Sequence, residues 1–343
     1  MNPKIHLIRF ASLCKRAFDA IRPERIYDDI EIDPYFGHVT PTKVVLRGRV
    51  LAWRLDDTEN DNKTEIPNPA LEKTETDPSI WENFKSMIAL FNTKEIPNIR
   101  IQCGDHETLS DEEGYFTLTL PRTNETIGWN TYDVQFGDDN QKTNLTAFKP
   151  SPEAKFGIIS DIDDTLIKTD AWNLRRNLWN SLTGNAQSRI VYPDAVKLIT
   201  KLHAGLNPIF YVSSSPWNMH GFLTEIFDRA GLIRGPIFLR DLSISDTQFI
   251  TGTHGQHKGE AIDEILNANP NLSFILLGDT GQHDPHVYHD AIIRHPGRIK
   301  QIILRAPKPD LKKSNQVWLD KIIETETPIY VGSTYASILG KLD

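Results

Sequence analysis

The spacing of apolar residues changes character three times along the chain, and each change predicts a different kind of structure. From about Ile5 to Ile21, the apolar residues Ile5, Ile8, Leu13, Ala17 and Ile21 recur at roughly helical spacing. His6, Arg9, Lys15, Arg16 and Arg22 give this stretch a basic character. The pattern predicts a helical segment within residues 1–40. It serves either as a helix packed on the next domain or as an amphipathic surface helix for lipid head groups.

From Thr42 to Phe136 the pattern shortens to strand-like runs, at Lys43–Trp53, Asn98–Gln102 and Tyr115–Leu120. A polar stretch, Asp56 to Asn68, and a predicted helix around Trp81 to Phe91 lie between the first two. The string Ser110-Asp-Glu-Glu-Gly-Tyr115 reads as a tight turn, with Gly114 able to take φ > 0 before the next strand. These signals predict a small β-sandwich over residues 41–140. A linker over residues 141–155 follows, where Pro150 and Pro152 stand among few apolar residues.

Beyond the linker, apolar runs at Phe156–Ser160, Pro208–Val212, Pro236–Leu239, Phe274–Leu277 and Ile299–Leu304 alternate with helical patterns. The helical patterns lie at Ala195–His203, Asn218–Ala230 and Gly259–Leu266. Strands apolar on both faces, alternating with helices, predict a parallel sheet covered on both sides. Residues 156–343 are therefore expected to form an α/β, Rossmann-like domain.

Composition narrows the picture further. A chain of 343 residues, 39% hydrophobic and 24% charged, is comfortable as a two-domain soluble protein. Its formal net charge of -8 gives no global attraction to nucleic acid or to anionic membranes, so no nucleic-acid partner is expected. Cys14 and Cys103 form neither a metal-spaced pair nor a disulfide framework. No stretch is apolar for long enough to span a bilayer, and Arg9, Lys15 and Arg16 interrupt any signal-peptide core. The expectation is a cytoplasmic protein, with peripheral membrane contact as the open variation.

In doubly wound sheets, ligands bind beyond the carboxyl ends of the strands. The predicted strand ends carry Asp161-Ile-Asp-Asp-Thr165, Ser213-Ser-Ser-Pro-Trp217 and Gly278-Asp-Thr-Gly-Gln-His-Asp284, with His257-Lys-Gly259 at the start of a helix. Together they suit phosphoryl transfer. The charge on a phosphate monoester must be neutralised before a carboxylate can attack it, and Mg²⁺, which takes oxygen ligands, suits that task. Asp161 and Asp279 would supply carboxylates, Asp284 is a further candidate, and Asp163 would contribute its backbone carbonyl. Asp161 would attack phosphorus, and Asp163 would protonate the leaving alcohol and later activate water. Ser213 and Lys258 would hold the transferring oxygens. Thr165 and Ser214, beside these groups, are candidate substrate contacts. Asp164 reads as a turn residue.

The four clusters, in this order, resemble the signature motifs of the haloacid dehalogenase superfamily of phosphohydrolases. Within it, an Asp at position 163 that can protonate an alkoxide implies a phosphatase or phosphomutase rather than a transport ATPase or a dehalogenase. The longer strings Asp161-Ile-Asp-Asp-Thr-Leu-Ile-Lys168, Tyr211-Val-Ser-Ser-Ser-Pro-Trp217 and Leu277-Gly-Asp-Thr-Gly-Gln-His-Asp284 resemble the phosphatidate phosphatase catalytic-domain family. The resemblance covers roughly Phe156 to Ala306, and Pro41–Trp53 and Asp111–Phe116 are similar to an N-terminal β-domain of bacterial members. It implies removal of phosphate from phosphatidate, giving diacylglycerol.

The segment from Lys168 to Val191 is the one insert of useful size and is too short for a large cap, so an open site is expected. Leu174, Leu178 and Leu182 would form one helical stripe for packing on the core. Alternatively, Trp172, Trp179, Arg175 and Arg176 meet a lipid head group at its interface. Trp217 reads as a packing residue or a pocket wall. Among the histidines, His257 or His283 would orient neighbours or line the entrance, while His254, His286 and His289 suit surface or helix packing. Three functions stay in view: a lipid phosphate phosphatase, a phosphatase for small soluble phosphomonoesters, and a non-catalytic scaffold. The partner of the β-rich half is not legible.

Overall fold

The computed structural model describes residues 30–52, 94–168, 191–240, 254–306 and 313–341. The helices expected near 5–21 and 81–91, and the insert with Trp172, Arg175, Arg176 and Trp179, lie outside the described residues.

The first half is one eight-stranded sheet: β1 (Ile30–Val39), β2 (Lys43–Ala52), β3 (Lys94–Glu95), β4 (Arg100–Cys103), β5 (His106–Leu109), β6 (Tyr115–Pro121), β7 (Gly128–Phe136) and β8 (Gln141–Lys149). The order is β3-β2-β1-β8-β7-β4-β5, with β6 also paired to β2. The neighbours are antiparallel except β1 and β8, which run parallel. The sheet curls until β5 and β6 come side by side, giving a nearly closed barrel around Val44, Leu46, Val50, Ile101, Leu118, Val134 and Leu145. The expected sandwich of two sheets therefore gives way to a single curled sheet. Its continuity comes from β2, which pairs with β1 along one edge and with both β3 and β6 along the other. A bulge between Tyr35 and His38 increases the bend. At that bulge, a Cβ on Gly37 would lie 2.2 Å from the Val45 carbonyl oxygen.

Two expected boundaries move. Residues 30–39, assigned to the helical N-terminal segment, form β1, and residues 141–149, assigned to the linker, form β8. Pro34 and Gly37 break the strand signal of β1, which tertiary pairing overrides. In β8 only Leu145 and Ala147 are fully buried, so its sequence carries few apolar residues. The turn at 111–115 forms as expected: Asp111 Oδ1 accepts from the N–H groups of Glu113 and Tyr115, and Gly114 takes φ +82°.

The second half is a parallel sheet of β9 (Gly157–Asp161), β10 (Ile209–Pro216), β11 (Ile237–Arg240), β12 (Phe274–Asp279), β13 (Ile299–Arg305) and β14 (Ile329–Gly332). The spatial order β11-β10-β9-β12-β13-β14 starts at the third strand, runs back to the first, and then continues outward from the fourth. Among the described residues six α-helices accompany it: α1 (Pro193–His203), α2 (His220–Ala230), α3 (His254–Ala268), α4 (Asp284–Arg294), α5 (Lys313–Glu324) and α6 (Ala336–Leu339). Apolar residues of α1, α2 and α6 cover one face of the sheet, and those of α3, α4 and α5 cover the other. In α1, Ala195, Leu198, Ile199 and Leu202 fall at i, i+3, i+4 and i+7 and are buried, while Ala204 ends the helix in the left-handed region. The strand order reverses between β9 and β12, and a crevice at that switch point is where such a sheet receives ligands.

The two halves meet along β1. The ring of Tyr35 stacks on Trp217 at 5.1 Å between centroids, and the Phe36 N–H donates to His220 Nε2 at 3.2 Å. Across the same seam, Arg47 pairs with Glu264 at 2.6 Å. Burial, reinforced by the charge of Arg234, pushes His220 down to about 3 from an ordinary value of 6.5. The imidazole is thus held neutral, the state in which Nε2 can accept. Because the folded state resists a proton that the unfolded chain binds readily, this residue's stabilisation is complete above about pH 6.5. It is lost progressively as pH falls toward 3. His220→Gln keeps an acceptor but removes the titration. Its thermal midpoint should fall less steeply than that of the native chain between pH 6.5 and 3, as followed by circular dichroism; parallel slopes would contradict the assignment.

Candidate active site

Both strands that flank the switch point end in an aspartate, Asp161 on β9 and Asp279 on β12. Asp284 opens α4, where the helix N-terminus favours negative charge. One carboxylate oxygen of each lies within 4.8 Å of those of the other two. Lys258, in the first turns of α3, places Nζ 2.7 Å from Asp161 Oδ1 and 2.6 Å from Asp284 Oδ1. All four residues are at most 3% exposed.

Local geometry explains how the sequence builds this cluster. Asp164 takes φ +58°, a conformation Asp tolerates, and turns the chain sharply after β9. The N–H groups of Leu166 and Ile167 then return to the Ile162 carbonyl, and Thr165 Oγ1 donates to Asp161 Oδ2 at 3.0 Å. On the other side, the Asp279 N–H donates to Asp284 Oδ2 at 3.0 Å, and Asp279 Oδ1 accepts from the N–H groups of Gly281 and Gln282. Gly278 is needed here for space: a Cβ would lie 2.6 Å from Asp284 Oδ2 and 2.8 Å from the Tyr288 ring.

Three carboxylates and one ammonium, if all ionised, leave two uncompensated negative charges in a buried site. Burial, with the neighbouring Asp284, pushes Asp279 up to about 8 against the opposing pull of Lys258. Asp161 is driven well above the usual carboxylate range for the same reasons. Burial alone would depress Lys258, but Asp161 and Asp284 outweigh it and hold the ammonium charged. Asp279 Oδ2 is buried with no hydrogen-bond partner among the described residues. An all-oxygen donor set with an unsatisfied buried oxygen and excess negative charge fits a hard divalent cation such as Mg²⁺.

Asp163 stands apart from the trio. It is half-buried, and its Oδ2 accepts from Ser213 Oγ at 2.7 Å and from Ser215 Oγ at 3.5 Å. The Ser213 hydroxyl, expected to face the transferring oxygens, thus donates to Asp163 and in turn accepts the Ser215 N–H at 2.9 Å. The side chain of Asp163 is directed to these serines and does not join the metal-type cluster. Ser214, half-buried at the same strand end, makes no side-chain hydrogen bond among the described residues. Trp172, Arg175 and Arg176 lie outside those residues. Trp217 packs on Tyr35 and lines a 240 Å³ cavity with Arg47, Phe238 and His257, a cavity that includes none of the clustered carboxylates. His286 stacks on Trp318 at 4.0 Å, as a helix-packing residue would.

Two contributors were missed. Asn315 on α5 donates to the carbonyls of Thr280 and Gln282, pinning the loop after β12; its sequence context is polar and gave no signal. Arg305 sits at the carboxyl end of β13, the kind of position that identified the other site residues, so that criterion could have found it.

With this geometry in view, comparison with known proteins becomes informative. Residues 156–306 match the family described as the catalytic domain of phosphatidate phosphatase APP1. The likeness to that family spans somewhat less than half of the chain. The protein named phosphatidate phosphatase APP1 in Saccharomyces cerevisiae is 33% identical over 181 residues, covering 50% of this chain and 30% of that protein. An uncharacterised protein of Schizosaccharomyces pombe is 26% identical over 152 residues, covering 43% of this chain and 24% of its own length. The chain thus spans less than a third of the length of these curated relatives. The matched segment contains every member of the Asp161, Asp163, Ser213, Lys258, Asp279 and Asp284 set. No described helix is long and apolar enough to cross a membrane.

A cation that binds this trio should stabilise the fold by mass action, about 2.7 kcal/mol at a hundredfold excess over Kd. Mg²⁺ is expected to raise the thermal midpoint, EDTA to reverse the rise, and Asp279→Asn to abolish most of it. An undiminished rise in Asp279→Asn would place the cation elsewhere.

Proposed function

We propose that the chain is a Mg²⁺-dependent phosphatase of the haloacid dehalogenase type, with a Rossmann-like catalytic half, that removes phosphate from phosphatidate through an aspartyl-phosphate on Asp161. The observation that carries this reading is the buried Asp161–Asp279–Asp284 trio bridged by Lys258, with Asp163 held separately by Ser213. The family match supports the substrate class. A lipid substrate at a membrane surface suits a cytoplasmic enzyme that meets the bilayer peripherally.

Asp161, Asp279 and Asp284 would hold the cation, which supplies charge neutralisation for an incoming phosphate. The chain's own residues divide the remaining work. Thr165 fixes Asp161 Oδ2 and so aims the carboxylate. A carboxylate oxygen of Asp161 forms a bond to phosphorus as the bond from phosphorus to the ester oxygen breaks. Asp163, protonated at this stage, gives its proton to the departing alkoxide; the serine contacts lie on Oδ2, leaving Oδ1 for the exchange. In the second half, Asp163 takes a proton from water, which attacks phosphorus and releases phosphate and Asp161. Lys258 holds positive charge beside the nucleophile throughout.

A phosphatase for small soluble monoesters would use the same residues, so substrate and mechanism need separate tests. Phosphate release from phosphatidate in mixed micelles, beside a panel of soluble phosphomonoesters, is expected to be strongest with the lipid. It should require Mg²⁺ and fall more than about 10³-fold in Asp161→Asn. Preference for a soluble ester would replace the substrate, whereas unchanged turnover in the variant would remove the nucleophile. Asp163→Asn should lose most on glycerol-type leaving groups and least on aryl phosphates, which need little protonation. Equal losses on the two classes would argue against the acid role.

A further inference from the structure

Arg305 is the largest fully buried side chain among the described residues, at 1% exposure, and the mechanism above leaves it without a task. Its guanidinium lies between two aromatic rings, with Cζ 3.9 Å from the Tyr192 centroid and 4.1 Å from that of Tyr335. Each of its three nitrogens has an acceptor. Nε donates to the Thr165 carbonyl at 3.2 Å, one terminal nitrogen to the Ser333 carbonyl at 3.1 Å, and the other to Asp194 Oδ1 at 2.8 Å. Asp194 is fixed in turn, because its Oδ2 accepts the Tyr335 N–H at 2.7 Å.

The Thr165 contact gives this cluster a functional direction. Thr165 is the residue whose hydroxyl holds Asp161 Oδ2, so Arg305 grips the backbone of the group that aims the carboxylate. The main chain of Arg305 serves the opposite wall, since its carbonyl accepts the Thr280 N–H at 2.8 Å, next to Asp279. One residue on β13 therefore ties the loop after β9 to the loop after β12, across the switch point. A lysine could keep the charge but not the fork that meets three acceptors in one plane.

We infer that Arg305 is a positioning residue for the reaction: through Thr165 it holds Asp161, and through its own backbone it holds the Asp279 loop, in the geometry that attack requires. This rests on the phosphatase reading above. A displacement of the order of 1 Å at the reacting groups lowers turnover about 10²-fold.

The experiment is a double-mutant cycle on Arg305→Met and Thr165→Val, measured as kcat and KM with p-nitrophenyl phosphate and with the preferred ester from the panel. Arg305→Met is expected to lower kcat about 10²-fold, with KM within about twofold of native, and millimolar guanidinium should restore part of the loss. Since both side chains act on Asp161 along one path, the double variant should be within about threefold of the poorer single variant. Multiplying losses, or a native kcat in Arg305→Met, would overturn the inference. If Arg305→Met does not fold, Arg305→Lys and Asp194→Asn take its place in the cycle with the same expectations of sign. An inactive native chain, or an active Asp161→Asn, would strike the phosphatase reading itself. A native enzyme that needs Asp161 but ignores Arg305 would strike this inference alone.

Discussion

Burying three carboxylates within a few ångströms of each other is the constraint around which the rest of the molecule is organised. Water cannot screen Asp161, Asp279 and Asp284 in this site, and Lys258 compensates only one charge. The fold meets the remaining demand with fixed dipoles: the N–H groups of Gly281 and Gln282 on Asp279, the Thr165 hydroxyl on Asp161 and the Asp279 N–H on Asp284. These donors come from chain turns at strand ends, so the parallel sheet is needed to place them. Asp163 stands outside the trio, half-buried and hydrogen-bonded to Ser213, yet near enough that its charge still acts on Asp161.

The N-terminal barrel contributes to this arrangement at one remove. Tyr35 and Phe36 of β1 belong to the same apolar cluster as α1, α2 and the β9 loop residues Ile162 and Leu166. The strand end that carries Ser213 leads directly to Trp217, whose ring is clamped by Tyr35. The barrel is thus a structural neighbour of the site's floor as well as a surface in its own right.

Much of the site was legible because its chemistry sits at strand ends, and apolar runs such as Phe274–Leu277 announce those ends clearly. Asp161, Asp279, Asp284 and Lys258 stand together around those ends. The direction of the Ser213 hydroxyl was not legible, since nothing in Ser213-Ser-Ser215 says which donor meets Asp163. Arg305 escaped because its partners, Thr165, Asp194 and Ser333, are scattered over the chain and four of its side-chain contacts involve backbone or rings. The barrel was misread for a related reason. Only Leu145 and Ala147 of β8 are fully buried, so it looks like a linker, and the pairing that makes it a strand is held in β1 and β7. Curvature from the bulge at Gly37 is likewise invisible without the opposing strand.

The parallel pairing of β1 with β8 has a consequence for how the chain comes into being on the ribosome. Strand β1 cannot find that neighbour until more than a hundred further residues have been made, and its Phe36 amide waits for His220, 184 positions away. Contacts this distant make assembly slow and leave strand edges exposed in the meantime. The first described strand therefore stays without its partner in the second half until the chain has been made past His220.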